Sequence, residues 1–282
     1  MNGLVIKDLY KSYGSTCALA GADLSFEKGK IYGLLGRNGA GKTTLLNIIT
    51  GRVFADKGSV CLDGQPTPEN DAALRQMYML SEQTFYPDSM RVREALKWSA
   101  AFYPGFDAEY AQSLAERFLL DVNARVRGLS TGYNTIFKIV AALSVNVPYL
   151  LLDEPVLGLD ANHRDLFYKL LLEKHGGSGC CVVLSTHLVE EVSPLVEDVV
   201  IIHKGRIVKN EPRETLLANG YTVSGPAAAV EAFIDGKTVL GQNRLGGLST
   251  AYVAGIRPAE APAGLELAPM DLQRAFIQLT ND

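Results

Sequence analysis

The stretch Ile31-Tyr32-Gly33-Leu34-Leu35-Gly36-Arg37-Asn38-Gly39-Ala40-Gly41-Lys42-Thr43-Thr44 decides the reading of this chain. It joins an apolar run of strand length, Ile31 to Leu35, to a loop that fits the pattern G-x-x-x-x-G-K-[ST]. In that pattern successive backbone N–H groups turn toward one concave point, and the N-terminus of a helix is aimed at the same point. The result is a cradle for phosphate. Lys42 reaches the β- and γ-phosphates, and Thr43 offers its hydroxyl to Mg²⁺. Glycine is required because the loop needs positive φ values and close approach of its backbone to the ligand. A plain glycine-rich turn between strand and helix leaves Lys42 and Thr43 together unexplained.

The composition around this loop is that of an ordinary globular chain. With 282 residues, 47% of them hydrophobic, it can bury a large core; at about 150 residues per domain it reads as one large domain with an appendage. The net charge is −4 and Lys and Arg are scattered rather than striped, so nucleic acid is not expected as a partner. Cys17, Cys61, Cys180 and Cys181 form neither a C-x-x-C nor a metal spacing, and are expected as buried thiols in a reducing compartment. No stretch approaches about 18 consecutive apolar residues, and Met1-Asn2-Gly3 opens into a strand pattern without a signal peptide. The expected location is cytoplasmic, at a membrane only where a partner holds it there.

Residues Leu4 to Leu9, Cys17 to Phe26 and Ser59 to Leu62 alternate apolar and polar between Gly-containing turns, which predicts a small antiparallel sheet beside the phosphate loop. Short apolar runs at Ile31 to Leu35, Tyr78 to Leu80, Tyr149 to Leu152, Cys181 to Ser185 and Val199 to Ile202 read as strands covered on both faces. With helical segments between them they predict a parallel α/β core with right-handed crossovers. Between Asp71 and Val126, Val92 to Phe102 and Tyr110 to Leu120 carry apolar residues at helical spacing, broken by Pro104-Gly105, and predict a helical insertion. Beyond Glu214 the chain turns toward Gly, Ala and Pro, with strand-like pieces at Tyr221 to Val223 and Thr250 to Val253. An amphipathic segment, Leu272 to Leu279, ends it. This tail has no His or Cys, and a regulatory or structural role is expected of it.

Three further sites carry chemistry. Leu150-Leu151-Leu152-Asp153-Glu154-Pro155 is an apolar strand ending in adjacent carboxylates, at the sheet edge where ligands of such folds bind. Asp153 can hold Mg²⁺ through water, and Glu154 can orient and polarise the water that attacks the γ-phosphate. A solvated turn or carboxylates at a helix N-terminus compete with that reading, and the phosphate loop decides against them. In Leu129-Ser130-Thr131-Gly132-Tyr133, Ser130 can cap a second long helix; taken by itself, a cap is all it needs to be. In Ser185-Thr186-His187, the histidine follows a strand parallel to the acidic one. That places it near the γ-phosphate, where an imidazole can bond a phosphate oxygen and the attacking water, although packing or capping would explain a lone His as well.

The order and spacing of these motifs over residues 3 to 215 resemble the nucleotide-binding subunit of an ABC (ATP-binding cassette) transporter. The resemblance implies an α/β fold of the P-loop NTPase class. A RecA-like parallel core would carry an antiparallel β subdomain and an α-helical insertion at about 71–128, in a cassette spanning 1–218. A small α+β C-terminal appendage, 219–282, would follow. ATP and Mg²⁺ are the implied ligands. Gly36, Arg37, Asn38, Gly39, Ala40, Gly41, Lys42, Thr43 and Thr44 would form the Walker A cradle, and Thr43 with Asp153 would serve the metal. Tyr13 of Lys11-Ser12-Tyr13-Gly14 would stack on adenine, Glu154 would be the catalytic base and His187 the switch histidine. Leu129 to Tyr133 would be the signature, with Ser130 and Gly132 recognising phosphate, and Gly158-Leu159-Asp160 the D-loop.

Two departures accompany the resemblance. The family usually has Gly at the position of Thr131 and Gln at that of Tyr133, while Ser130 and Gly132 are kept. In Tyr78-Met79-Leu80-Ser81-Glu82-Gln83-Thr84-Phe85-Tyr86-Pro87, a gap-free register puts Ser81 where a metal-contacting Gln is expected. Either Gln83 takes that role through a local shift, or the site is modified.

The resemblance further implies composite sites, in which the signature of one cassette closes over ATP held by another. The partners would be a second cassette, identical or not, and separate transmembrane permease subunits reached through the segment near Tyr86-Pro87 and the helical insertion. The tail segments Gly246 to Thr250 and Pro269 to Phe276 are similar to those of bacterial export-type ATPases for drugs, antibiotic response, lipids or peptides. A soluble ABC protein acting as a conformational switch on ribosomes or in DNA repair is the alternative, but it would call for two cassettes or a long coiled-coil insertion. A P-loop kinase would leave the signature and the Glu154/His187 pair unexplained.

Overall fold

The computed structural model describes residues 3–83, 86–87 and 89–281; Met1 and Asn2, and Thr84 and Phe85 of the segment quoted above, lie outside them. Strands β1 (Leu4–Tyr13) and β2 (Thr16–Phe26) form an antiparallel hairpin, and β3 (Ile31–Leu35) runs through the glycine loop into α1 (Lys42–Ile49). β4 (Lys57–Leu62) and the short β5 (Gln65–Pro66) return to the hairpin and complete a sheet of order β2-β1-β4-β5. After α2 (Asp71–Leu74) and β6 (Met77–Leu80) come two helices, α3 (Val92–Phe102) and α4 (Ala108–Arg117). Helix and strand then alternate through α5 (Thr131–Ser144), β7 (Tyr149–Asp153), α6 (Ala161–Ser178), β8 (Cys181–Thr186), α7 (Val189–Val192) and β9 (Asp198–His203). β10 (Arg206–Pro212) turns back antiparallel to β9. The central sheet has the order β10-β9-β3-β8-β7-β6, with all its pairs beyond β9 parallel.

Successive residues of these strands feed two different cores, because side chains alternate across a sheet. Leu150, Leu152, Val182 and Leu184 pack with α5 and α6 on one face. Tyr149, Leu151, Cys181 and Val183 pack with α1 and the antiparallel sheet on the other. Each buried aliphatic side chain contributes roughly 1.5–3 kcal/mol, and burial on both faces is why these runs have no polar interruption. The span read as a helical insertion is itself interrupted: β6 belongs to the edge of the parallel sheet, and α3 and α4 follow it. The cysteines also differ from expectation. All four are free, Cys180 and Cys181 are buried, but Cys61 is half-buried and Cys17 exposed. Burial pushes the Cys181 thiol well up from its ordinary value.

Past α8 (Arg213–Ala218) lies a third sheet, of order β12-β13-β11-β14, built from β11 (Gly220–Pro226), β12 (Val239–Leu245), β13 (Leu248–Ala254) and β14 (Glu266–Pro269). α9 (Ala227–Ile234) covers it, packing Val230 against Tyr221, Val223, Ala251 and Val253. The last helix, α10 (Leu272–Thr280), is capped by Asp271, which accepts from the Arg274 N–H at 2.7 Å. Its Leu272, Ala275 and Phe276 enter the same core as Val189 and Val192 of α7 and Leu216 of α8. The tail is therefore anchored on the helix that directly follows His187. Among the described residues no helix is long and apolar enough to cross a membrane.

Candidate nucleotide site

The pairing register sets Leu35 beside Thr186 and Asp153 beside Ser185, so the carboxyl ends of β3, β8 and β7 converge next to the glycine loop. Ligands of open α/β sheets bind at this edge. Gly39 and Gly41 have φ of +80° and +109°, and a Cβ on Gly41 would stand 2.4 Å from the Ala18 carbonyl oxygen. Only glycine fits there. Arg37 closes the turn by accepting from the Ala40 N–H at 3.0 Å. α1 starts without a side-chain cap or an acidic residue in its first turn, so its leading N–H groups and dipole remain available to an anion.

A cavity of about 540 Å³ opens over this loop, lined by Asn38 through Thr44 together with Thr16, Glu82, Glu154 and His187. Lys42 is 6% exposed; its Nζ donates to the Gly36 carbonyl at 2.7 Å and lies 3.6 Å from Glu154 Oε1. A buried ammonium needs such partners, and both can be exchanged for phosphate oxygens. The Asp153 carboxylate is buried between two hydroxyls: Thr43 Oγ1 donates to Oδ2 at 2.7 Å and Ser185 Oγ to Oδ1 at 2.6 Å. A hydroxyl and a carboxylate oxygen are the donors a hard cation takes. No group of three or more His, Cys, Asp or Glu that could hold a metal occurs among the described residues. The donor set fits a Mg²⁺ whose other ligands are phosphates and water.

Glu154 has φ +46°, a left-handed conformation that costs a non-glycine residue about 1–2 kcal/mol. The surroundings hold it there. Its N–H donates to the Ser185 carbonyl at 2.8 Å, Thr186 Oγ1 donates to Oε2 at 3.1 Å, and His187 Nδ1 sits 3.0 Å from both carboxylate oxygens. Strain maintained in this way is typical of positions where a side chain must be aimed. The hydroxyls of Ser185 and Thr186 thus fix both carboxylates, a role the sequence concealed because they read as the last residues of a strand.

The remaining expected residues fall into three places. Tyr13 ends β1 opposite Thr16, half exposed, with Lys11 Nζ 5.5 Å from its ring centroid; it stands at the rim, since Thr16 lines the cavity. Ser130 caps α5 by accepting from the Tyr133 N–H at 3.3 Å. Gly132 lies so close to the D-loop that a Cβ would be 2.9 Å from the Gly158 oxygen. Asp160 caps α6 by accepting from the His163 N–H at 2.9 Å; that bond, and then the His163 ring, hold its carboxyl below the usual range. Ser130, Gly132 and Asp160 do not line the phosphate cavity of their own chain. Gln83 does not line it either: it lies in an adjoining apolar groove with Ser81, and Glu82 stands at the nucleotide cavity instead.

A glycine loop on a helix N-terminus, a lysine inside it, and two strand-end carboxylates held by hydroxyls and an imidazole define a P-loop nucleotide-hydrolysing cassette. Comparison with known proteins narrows the class. Residues 19–157 match the family profile described as ABC transporter. The ABC transporter ATP-binding protein YtrB of Bacillus subtilis (strain 168) is 29% identical over 66% of this chain, which spans 64% of that protein's length. The sulfate/thiosulfate import ATP-binding protein CysA of Caulobacter vibrioides is 30% identical over 98% of the chain and 86% of its own. The Nod factor export ATP-binding protein I of Burkholderia orbicola is 32% identical over 71% and 67%. A solved ATP binding subunit of an ABC transporter superposes with a TM-score of 0.69 at 25% identity, covering 76% of this chain and 92% of that one. The chain belongs to the ABC transporter family, as one of its ATP-binding ATPase cassettes.

Proposed function

We propose that this cassette binds Mg-ATP on its Gly36–Thr44 loop, hydrolyses it in a site completed by Ser130, Gly132 and Asp160 of a second cassette, and so drives an exporter whose translocation path belongs to separate membrane subunits. The observation that carries the reading is the placement of Glu154 in the phosphate cavity, fixed by Thr186 and His187 and 3.6 Å from Lys42. In hydrolysis Glu154 takes the proton of the water that attacks the γ-phosphorus, and the bond from that phosphorus to the leaving ADP oxygen breaks. Lys42 moves from the Gly36 carbonyl to phosphate oxygens, and His187 keeps the Glu154 carboxylate aimed. Thr43 and Asp153 would hold a Mg²⁺, which when bound would neutralise phosphate charge.

A groove of about 480 Å³ beside β6, lined by Tyr78, Tyr86, Met90, Phe102 and Lys138, supports docking of membrane subunits. At its edge Trp98 and Phe102 are stacked and more than half exposed, and apolar patches of this kind mark interaction sites. Such docking would place the cassette at the cytoplasmic face of a membrane, with 1–218 as the motor and 219–282 as an accessory region. Relatives of both transport directions share the cassette, and export is favoured by the likeness of the tail segments Gly246 to Thr250 and Pro269 to Phe276 to those of export ATPases. The test is Glu154→Gln, which keeps shape and loses the base. Hydrolysis should fall by about 10² or more, with ATP accumulating in a stable dimer; turnover at the unmodified rate would overturn the assignment.

A further inference from the structure

We infer that Glu82, by facing the nucleotide cavity where an uncharged residue would be indifferent, makes ATP binding by this chain conditional on the divalent cation. The inference rests on the reading of the cavity as a Mg-ATP site and deepens it. The segment leaving β6 divides its residues between two cavities. Ser81 and Gln83 line the apolar groove, while Glu82 lines the phosphate cavity with Thr43 and Glu154. Glu82 and Glu154 also line, together with Ser81, a smaller cavity of about 240 Å³ beside α5, whereas Gln83 lines neither of the cavities that hold Glu154.

This register is pinned from both sides. Arg52 Nη1 donates to Ser81 Oγ at 3.1 Å, Ser81 Oγ donates to the Gln83 carbonyl at 3.2 Å, and Lys138 Nζ from α5 donates to the Glu82 carbonyl. A one-residue slip that brought Gln83 to the nucleotide would break these contacts, because each is made to one particular residue of the segment.

The charge balance gives the pinned carboxylate its consequence. Asp153, Glu154 and Glu82 bring three carboxylates to one region, against the ammonium of Lys42 inside the loop and that of Lys138 on the α5 side. A bare nucleoside triphosphate meets repulsion from Glu82, and the same molecule carrying a divalent cation, with two of its negative charges neutralised, meets less. Nucleotide and cation are then coupled ligands, and the coupling is reciprocal. Glu82 acts here as a determinant of cation dependence and takes no part in proton transfer.

The experiment titrates ATP calorimetrically into the unmodified chain, Glu82→Gln and Gln83→Ala, once in Mg²⁺ and once in EDTA, with circular dichroism to verify folding. The readout is the ratio of the Kd in EDTA to the Kd in Mg²⁺. We expect Glu82→Gln to lower that ratio about five- to tenfold, mainly by tightening the metal-free complex, and Gln83→Ala to leave it unchanged. A ratio for Glu82→Gln within about twofold of the unmodified chain, or an equal drop in Gln83→Ala, overturns the inference while the Mg-ATP reading stands. An unmodified chain that binds no ATP in Mg²⁺ overturns that reading itself.

Discussion

Ser185→Ala probes the support of the metal-side carboxylate without touching a residue placed on the nucleotide. Asp153 is 3% exposed, and its two oxygens are served by Thr43 at 2.7 Å and Ser185 at 2.6 Å. The substitution removes one donor and admits no water to replace it, since Ser185 is fully buried. A hydrogen bond to a charged group contributes about 1.5–3 kcal/mol, and the loss is felt in full where the partner stays buried. Taking about 2 kcal/mol, and about 2 °C per kcal/mol for a chain of this size, the melting temperature should fall by about 4 °C. Differential scanning calorimetry without nucleotide measures it. The origin of the loss can be isolated in an Asp153→Asn background, where the partner is neutral and Ser185→Ala should cost less than about 1 kcal/mol. A fall below about 1 °C, or an equal cost in both backgrounds, would refute the account of Asp153 as a buried anion held by hydroxyls.

If the second cassette is a copy of this chain, a composite site predicts complementation: Ser130→Arg and Lys42→Ala chains, each inactive alone, should together regain hydrolysis, because a mixed dimer places both lesions in one site and leaves the other whole. Mixed dimers that form and stay inactive would count against shared sites. Phe276→Ala should lower the melting temperature by about 6 °C, from roughly 3 kcal/mol of lost core packing, yet leave Mg-ATP affinity intact, since no residue of α10 lines the cavity. Loss of ATP binding in that variant while still folded would show that the tail shapes the site directly.

The sequence reveals most where a strand is buried on both faces. Ile31 to Leu35 has the bounds that the apolar pattern predicts, because burial there forbids polar residues, and the helix Val92 to Phe102 has them because its buried Val92, Ala95, Leu96 and Ser99 recur at three- and four-residue spacing. β10 escapes notice: its Arg-Ile-Val-Lys-Asn-Glu-Pro is a sheet-edge strand, half exposed along its length, and carries little apolar signal. In the tail, α9 starts at Ala227, after a Pro226 that offers no side-chain cap, and β12 has mostly exposed residues, so neither pattern stands out from the Gly- and Ala-rich background.

The site shows the same division between local and tertiary information. The Gly36–Thr44 loop is local, so its residues are legible as a string. Ser185 and Thr186 gain their roles from the register of β7 against β8, which aligns Ser185 with Asp153 and leaves Thr186 to bond Glu154, and which a string does not state. The residues after β6 are the sharpest case. Ser81, Glu82 and Gln83 differ by single steps in the chain, and the face each takes is set by Arg52 and Lys138 from elsewhere in the fold.

The most direct test of the account is calorimetric titration of Mg-ATP into the unmodified chain and into Lys42→Ala, each with a melting curve. The unmodified chain should bind. The variant should remain folded and lose about ten- to a hundredfold or more in affinity, the equivalent of one or more charge-assisted hydrogen bonds to phosphate. Undiminished affinity in a folded Lys42→Ala chain would mean that the Gly36–Thr44 loop is not where this protein holds ATP.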